Sequence, residues 1–375
     1  MSKNNLRELA TLFLKLGTIA FGGPAAHIAM MRKEVVLKKN WLSEEHFLDL
    51  ISATNLIPGP NSTEMAIHIG RERAGWKGLA VAGLCFILPA VFITGIFAFF
   101  YKTYGLLPQV QPFIYGIKPA IIAVIIGAVY PLAKKALKTV ESAIIGMAVL
   151  VLSLLGYNEI MLLFGSGFLA LLLFYARNNN QRASGGILPL TLLKTSNTIL
   201  FSITNGNLFF IFFKIGAILY GSGYVLFAFL DSELVRKGIL SRQQLIDAIA
   251  VGQFTPGPVF SSVTFIGYQI NGLGGAAVST AGVFLPSFLF VALLNPLVKK
   301  MRSSSLFSAF LDAVNIASVA IIMAVCYQMG KECITDWRTI LIALMSIAAV
   351  FALKNINNVF IVIGGGLLGY LLTLF

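Results

Sequence analysis

Glu64 and His68 lie four residues apart, on one face of any helix that carries them, in an otherwise apolar stretch. In a membrane that spacing suits a buried proton carrier tuned by an imidazole. An ordinary i,i+4 pair near the membrane surface has the same spacing. Lys15, Lys118 and Lys214 also sit inside apolar runs. A charged side chain at mid-bilayer costs at least about 2.5–3.5 kcal/mol on insertion scales. No acidic residue stands three or four positions from any of the three, so no local ion pair explains them. An anionic substrate would. Snorkelling is the alternative, chiefly for Lys15 and Lys214, which lie nearer the ends of their runs. Asp49 and Asp247 are expected to hydrogen-bond within their own hairpins. His27 and Asp312 are lone polar residues with no assigned role.

A second signal is the tripeptide Pro58-Gly59-Pro60, which returns as Pro256-Gly257-Pro258. Each precedes a helix start: Asn61, Ser62 and Thr63 in one case, Val259, Phe260, Ser261 and Ser262 in the other. A helix N-terminus offers unpaired N–H groups and about half a positive charge, which suits an anion. Glycine breaks at Gly22-Gly23 and Gly221-Ser222 supply two more starts. The expected anion-binding set is therefore Lys15, Gly22, Gly23, Asn61, Ser62, Thr63, Lys118, Lys214, Gly221, Ser222, Ser261, Ser262 and Asn315, with Glu64 and His68 as the proton-coupling pair. The alternative is that Pro-Gly-Pro only kinks packed helices.

The elements that must position these residues form an internal repeat. Leu42-Ser43 through Pro60 recurs at Leu240-Ser241 through Pro258, at a constant spacing of 198 residues. Phe13 to Gly17 matches Phe212 to Gly216, Leu88-Pro89 matches Leu285-Pro286, and Gly116 to Ala120 matches Ala313 to Ala317. Lys118 becomes Asn315, Glu64 becomes Ser262 and His68 becomes Ile266, so the charged features occur once. The division is an N-terminal membrane repeat at 1–176, a linker loop at 177–198 and a C-terminal membrane repeat at 199–375.

Composition sets the solvent. Of 375 residues, 57% are hydrophobic and 11% charged, with mean hydropathy +0.85. A soluble domain has about 25% charged residues, so soluble enzymes, disordered chains and secreted disulfide scaffolds are excluded. The net charge of +13 reads as positive-inside topology and anionic lipid contact rather than nucleic-acid binding. Cys85, Cys326 and Cys333 form no CxxC pair. No cleavable signal peptide is visible. There is no HExxH, no Ser/His/Asp arrangement within the spans and no Walker A motif, so neither an enzyme nor an ATP-driven pump is expected, and no cofactor or metal.

The expected fold is all-α and polytopic. In each repeat, residues 6–36 or 201–235 would cross once, with a glycine break. Pieces at 43–57 and 61–71, or 242–255 and 259–270, are too short to span about 30 Å and would form a re-entrant hairpin. Ser43, and Ser241 with Gln244, are helix-start signals. Four long runs follow in each half, at about 77–100, 108–133, 140–156 and 159–176, then 273–298, 306–328, 338–353 and 357–375. Five spans per half is odd, so the repeats would be inverted. Basic clusters in non-equivalent loops agree, although this count puts the N-terminus, with Lys3 and Arg7, on the outer side.

Phe21-Gly22-Gly23-Pro24, Pro58 through Glu64 and Thr255-Pro256-Gly257-Pro258-Val259-Phe260 resemble the motifs of the chromate ion transporter family in its long, two-repeat form. The resemblance runs from about Leu6 to the end. It implies export of chromate across the cytoplasmic membrane, with sulfate as the structural analogue, coupled to the proton gradient or the membrane potential. A sulfate or other oxyanion transporter and an uncoupled anion channel are the alternatives. The partners implied are the oxyanion and the lipid bilayer; a homodimer is compatible with the sequence.

Overall fold

The computed structural model describes residues 3–21, 23–105, 107–178, 203–220, 223–302, 304–353 and 357–374. Gly22, Gly221, Ser222 and nearly all of the linker at 177–198 lie outside the described residues. So do Lys354 and the side chains of Lys299, Lys300 and Arg302.

The described chain is helical. The first repeat comprises α1 (Lys3–Ile19), α2 (Gly23–Arg32, continued by a π-turn Lys33–Lys38), α3 (Glu44–Thr54), α4 (Asn61–Tyr104), α5 (Gln111–Ala136), α6 (Val140–Leu154) and α7 (Glu159–Asn178). The second comprises α8 (Asn205–Ile218), α9 (Val225–Leu230, continued by a π-turn Asp231–Val235), α10 (Arg242–Phe254), α11 (Ser262–Arg302, entered through a 3-10 turn Val259–Ser261), α12 (Ser305–Cys333), α13 (Trp337–Ala352) and α14 (Asn358–Thr373). Five segments are long and apolar enough to cross a membrane, within α4, α5, α7, α11 and α12; α6, α8, α13 and α14 are shorter apolar helices. Ser43 caps α3, and Ser241 with Gln244 forms a capping box on α10.

α4 and α11 each contain a reversal. Gly75 has φ +58 after a non-helical Ala74, and Gly272 has φ +61 after a non-helical Asn271. Positive φ costs glycine little. The short arm then folds back on the long one. A side chain on Gly70 would strike the Gly78 carbonyl, and one on Gly267 the Gly275 carbonyl. In a continuous helix those pairs would lie about 12 Å apart. Antiparallel pairing centred on Gly75 brings Pro60 level with Pro89, midway along residues 76–104. That long arm measures about 43 Å. In α11, Thr264 meets Thr280 at 2.7 Å, which sets Pro258 level with Pro286. Both Pro-Gly-Pro loops therefore lie at mid-height of the long arms.

Residues 6–36 do not cross once, contrary to the expectation from apolar length. α1 ends at Ile19 and the chain folds back through the glycine break, so that Lys15 reaches Glu34 at 3.6 Å. Glu8 lies 3.5 Å from Arg73, and Phe13 packs edge-on against Phe86. α1 thus runs alongside the long arm of α4 and stops at the height of Pro89. Gly17 makes this approach possible, since a side chain there would meet the Phe86 carbonyl; Gly216 does the same against Val283. The second repeat repeats the fold-back, with Lys214 paired to Glu233.

The remaining helices form a bundle in which the repeats exchange partners. α5 packs on α13 and α14, α12 on α6 and α7, and α5 on α12. Small residues seat the closest approach, Gly116 of α5 against Gly365 and Gly369 of α14. Tyr115, near the start of α5, hydrogen-bonds Asp336 at the start of α13. Tyr130, near the end of α5, meets Phe351 near the end of α13. α5 and α13 are therefore parallel. α12 reverses into α13 through residues 334–336, so α5 and α12 are antiparallel.

Candidate functional site

Four chain breaks meet at mid-height. The N–H of Gly59 donates to the Leu219 carbonyl at 2.8 Å, and the N–H of Gly257 to the Ala20 carbonyl at 2.8 Å. Each Pro-Gly-Pro loop is thus pinned to the glycine break of the opposite repeat. Gly59 has φ +138 and Gly257 φ +83, conformations that glycine tolerates. His27 adds a ring-nitrogen contact to the Ala20 carbonyl at 3.1 Å. One carbonyl just past the end of α1 and one just past the end of α8 are engaged by these bonds.

The helix starts at the breaks lack side-chain caps. Pro60 before α4 and Pro258 before the turn into α11 offer no side-chain cap; the Pro60 carbonyl accepts from the N–H groups of Thr63 and Glu64, and the Pro258 carbonyl from that of Ser261. α3, α6, α8, α10, α12, α13 and α14 each have a Ser, Thr, Asp or Asn cap. α5 is uncapped too, but Pro112 in its first turn removes one donor. Uncapped donors at mid-height are what an anion requires.

Buried polar atoms accompany these starts. Thr63 and Ser262 are fully or almost fully buried, and neither hydroxyl has a hydrogen-bond partner. Asn61 donates to Asn55 at 2.7 Å and closes the first loop. Ser261 is held by Thr94 at 3.2 Å and lies 3.4 Å from Thr255. Because Thr94 stands five residues beyond Pro89 on α4, this bond sets the α11 start beside the first break. Ser62 is buried.

Glu64 is buried and its carboxyl oxygens have no hydrogen-bond partner. No cation pairs with it among the described residues. Its surroundings are the Gly59 loop, the Ser287 hydroxyl and Tyr220. His68 is equally buried, yet both ring nitrogens are unpartnered, so the structure does not join it to Glu64. In the other repeat Gly257 faces Ala90, the counterpart of Ser287, and the buried Ser262 stands in place of Glu64. The carboxyl therefore occurs on one side only.

The lysines have partners that local spacing hides. Glu34 lies between Lys15 at 3.6 Å and Lys38 at 2.8 Å, and Glu233 likewise lies between Lys214 and Lys237. Lys118 reaches Asp247 at 3.4 Å, and Tyr101 donates to the same carboxylate. The expectation of unpaired lysines is corrected accordingly: the partners come from other helices. Asp247 likewise pairs outside its hairpin. Asn315 is exposed on α12, and Gly23 begins α2. Sequence reading missed Ser287, Thr94 and Tyr220. Ser287 had a signal, being a hydroxyl beside an intramembrane proline at a repeat anchor.

Comparison with known proteins covers nearly the whole chain. The family model described as chromate transporter matches twice, at residues 7–171 and 206–370. A probable chromate transport protein of Synechococcus elongatus is 30% identical over 92% of this chain and 89% of its own length. A chromate transport protein of Cupriavidus metallidurans is 30% identical over 97% of this chain and 92% of its own. A chromate transport protein of Pseudomonas aeruginosa is 27% identical over 97% and 92%. No solved structure matches.

Proposed function

Because the chain belongs to the chromate transporter family, we propose that it is a secondary transporter that exports chromate, with binding at the paired breaks. The chain is a multi-pass cell-membrane protein of a transporter family, not of an enzyme family. The observation that carries the reading is the pair of uncapped helix starts with the unpartnered hydroxyls of Thr63 and Ser262. Each start supplies about half a positive charge, and neutral hydroxyls bind an oxyanion without trapping it. The relatives named for chromate transport support chromate as the cargo; sulfate shares its charge and shape.

Inverted repeats belong to this reading. The antiparallel course of α5 and α12, which are equivalent elements, supports it. With α1–α2 and α3 to the short arm of α4 as two re-entrant hairpins, four spans remain in the first repeat, so an odd span count no longer argues for inversion, which rests on the opposed courses of α5 and α12. The N-terminus then shares the face of the Gly75 turn, because Glu8 meets Arg73. Arg7, Arg32, Lys39, Arg71 and Lys77 gather there, as a cytoplasmic face requires.

Glu64 is the coupling group. An ionised carboxylate buried without a partner is unfavourable, so a site that alternates between proton and oxyanion occupancy has its proton carrier there. Lys118 and the other lysines shape the potential around the path while ion-paired. The test is uptake by purified protein in liposomes, with chromate and sulfate in competition, under an imposed pH gradient. Uphill chromate movement driven by the gradient supports the reading. Movement that only ever follows the chromate gradient makes the protein a channel.

A further inference from the structure

The helices divide into two bodies, and the contacts between the bodies break the repeat symmetry. α1–α4 with α8–α11 form a core. α5–α7 with α12–α14 form a scaffold. Within each body the packing is paired: α1 on α4 matches α8 on α11, and α5 on α13 and α14 matches α12 on α6 and α7. Between the bodies it is not. α10 packs on α5 and α14, and α9 on α12 and α7. α3, the counterpart of α10, packs on α4 and α11 and has no comparable packing on α12 or α7. Equivalent positions record this difference. Ile246 of α10 is 0% exposed and Leu48 of α3 is 52% exposed.

The ion pairs follow the same asymmetry. Lys118 of the scaffold reaches Asp247 of α10. Arg236, just after α9, pairs with Glu159 of α7. Arg242 of α10 pairs with Glu332 of α12 at 2.8 Å. All three tie the second repeat's half of the core to the scaffold. Applying the repeat relation to the last pair moves Arg242 to Glu44, 198 residues earlier, and Glu332 to Lys135, 197 residues earlier. The charges exchange sign and remain complementary. At present Glu44 is held instead by Arg32 at 2.6 Å, and Lys135 is exposed at the end of α5. The relation also sends Asp247 and Lys118 to Asp49 and Asn315, which can hydrogen-bond, and both positions are exposed.

We propose that this structure is one of two end states, and that in the other α3 closes on α12 and α7 while α10 leaves α5 and α14. Closure forms a Glu44–Lys135 ion pair and an Asp49–Asn315 contact. Opening breaks Lys118–Asp247 and Arg242–Glu332. The present state is closed where α10 meets the scaffold and open along α3, on the face of the Gly75 turn. Exchange of contacts between equivalent elements is how inverted repeats give alternating access, so the inference rests on the transporter reading; it adds the residues that hold each state.

The test uses the full chain in liposomes with Cys85, Cys326 and Cys333 replaced by Ala. One variant carries Glu44→Cys with Lys135→Cys, another Lys118→Cys with Asp247→Cys, and each is treated with a short bifunctional thiol reagent. The expected result is that both pairs cross-link and that either link lowers chromate transport at least tenfold. Spin labels at Leu48→Cys and Asn315→Cys supply a second readout that needs no cargo. They should show two separations, the shorter one gaining population when Lys118→Met and Asp247→Leu are added. A single unchanged separation overturns the proposal, as does full transport by protein linked at 118 and 247. Failure to move chromate with two separations present would count against the cargo, not against the exchange.

Discussion

The N–H of Gly59 in the first repeat donates to the carbonyl of Leu219 in the second. With its counterpart from Gly257 to Ala20, it makes each loop depend on the opposite break. Gly59 has φ +138, and a side chain there would strike the Glu64 carboxyl and come within 2.7 Å of the Ser287 hydroxyl. Gly59→Ala should therefore cost about 1–3 kcal/mol of backbone strain and lower transport more than tenfold. Thermal unfolding in detergent and initial transport rates measure both. Transport at the wild-type rate would show that this geometry is not required.

Glu64→Gln keeps the shape and removes the titratable group. Exchange of chromate across the membrane should persist, and accumulation driven by a pH gradient should vanish. A variant that still concentrates chromate with the wild-type pH profile places the proton carrier elsewhere.

Thr63→Val and Ser262→Ala each remove one unpartnered hydroxyl. A neutral hydrogen bond is worth about 0.5–1.5 kcal/mol, so each change should weaken oxyanion binding roughly threefold to tenfold, and both together should weaken it further. Tryptophan quenching or calorimetric titration would read this. Ser261→Ala should act more on stability, because its hydroxyl is already bonded to Thr94.

Lys118 and Asp247 are both nearly buried. Lys118→Met alone or Asp247→Leu alone leaves one buried charge, at a cost of about 3–5 kcal/mol. The double variant should unfold at a higher temperature than either single one. Equal or additive losses would mean that the two charges do not act as a pair.

The face assignment is open to labelling. Trp76 and Leu273 are exposed beside the two reversals. Trp76→Cys should react with a membrane-impermeant thiol reagent from one side and Leu273→Cys from the other, with Arg7→Cys following Trp76→Cys. Labelling of both reversals from one side would contradict the inverted arrangement.

Much of this was legible in the chain itself. Apolar run lengths located the long helices, and the Pro-Gly-Pro loops and Ser43 and Ser241 marked the starts of the half-helices within a residue. The fold-back of residues 6–36 was not legible, because an apolar stretch of that length fits a single crossing as well as a hairpin. What separates the two is Lys15 meeting Glu34, a contact across a break whose angle hydropathy does not encode. The same limit hid the lysine partners. Lys118 finds Asp247 from the other repeat, far beyond the i±4 reach within which a helix pairs its own charges. Glu64 stood out because its repeat counterpart, Ser262, carries no carboxyl, whereas Ser287 was masked by its neighbour Pro286.

The central claim is that the oxyanion binds between the two uncapped helix starts. A structure of the protein with chromate, located by the anomalous scattering of chromium, tests it most directly. The account predicts a peak at mid-height between Asn61-Ser62-Thr63 and Ser261-Ser262. A peak far from both Pro-Gly-Pro loops, for example among the basic side chains at the Gly75-turn face, would contradict it.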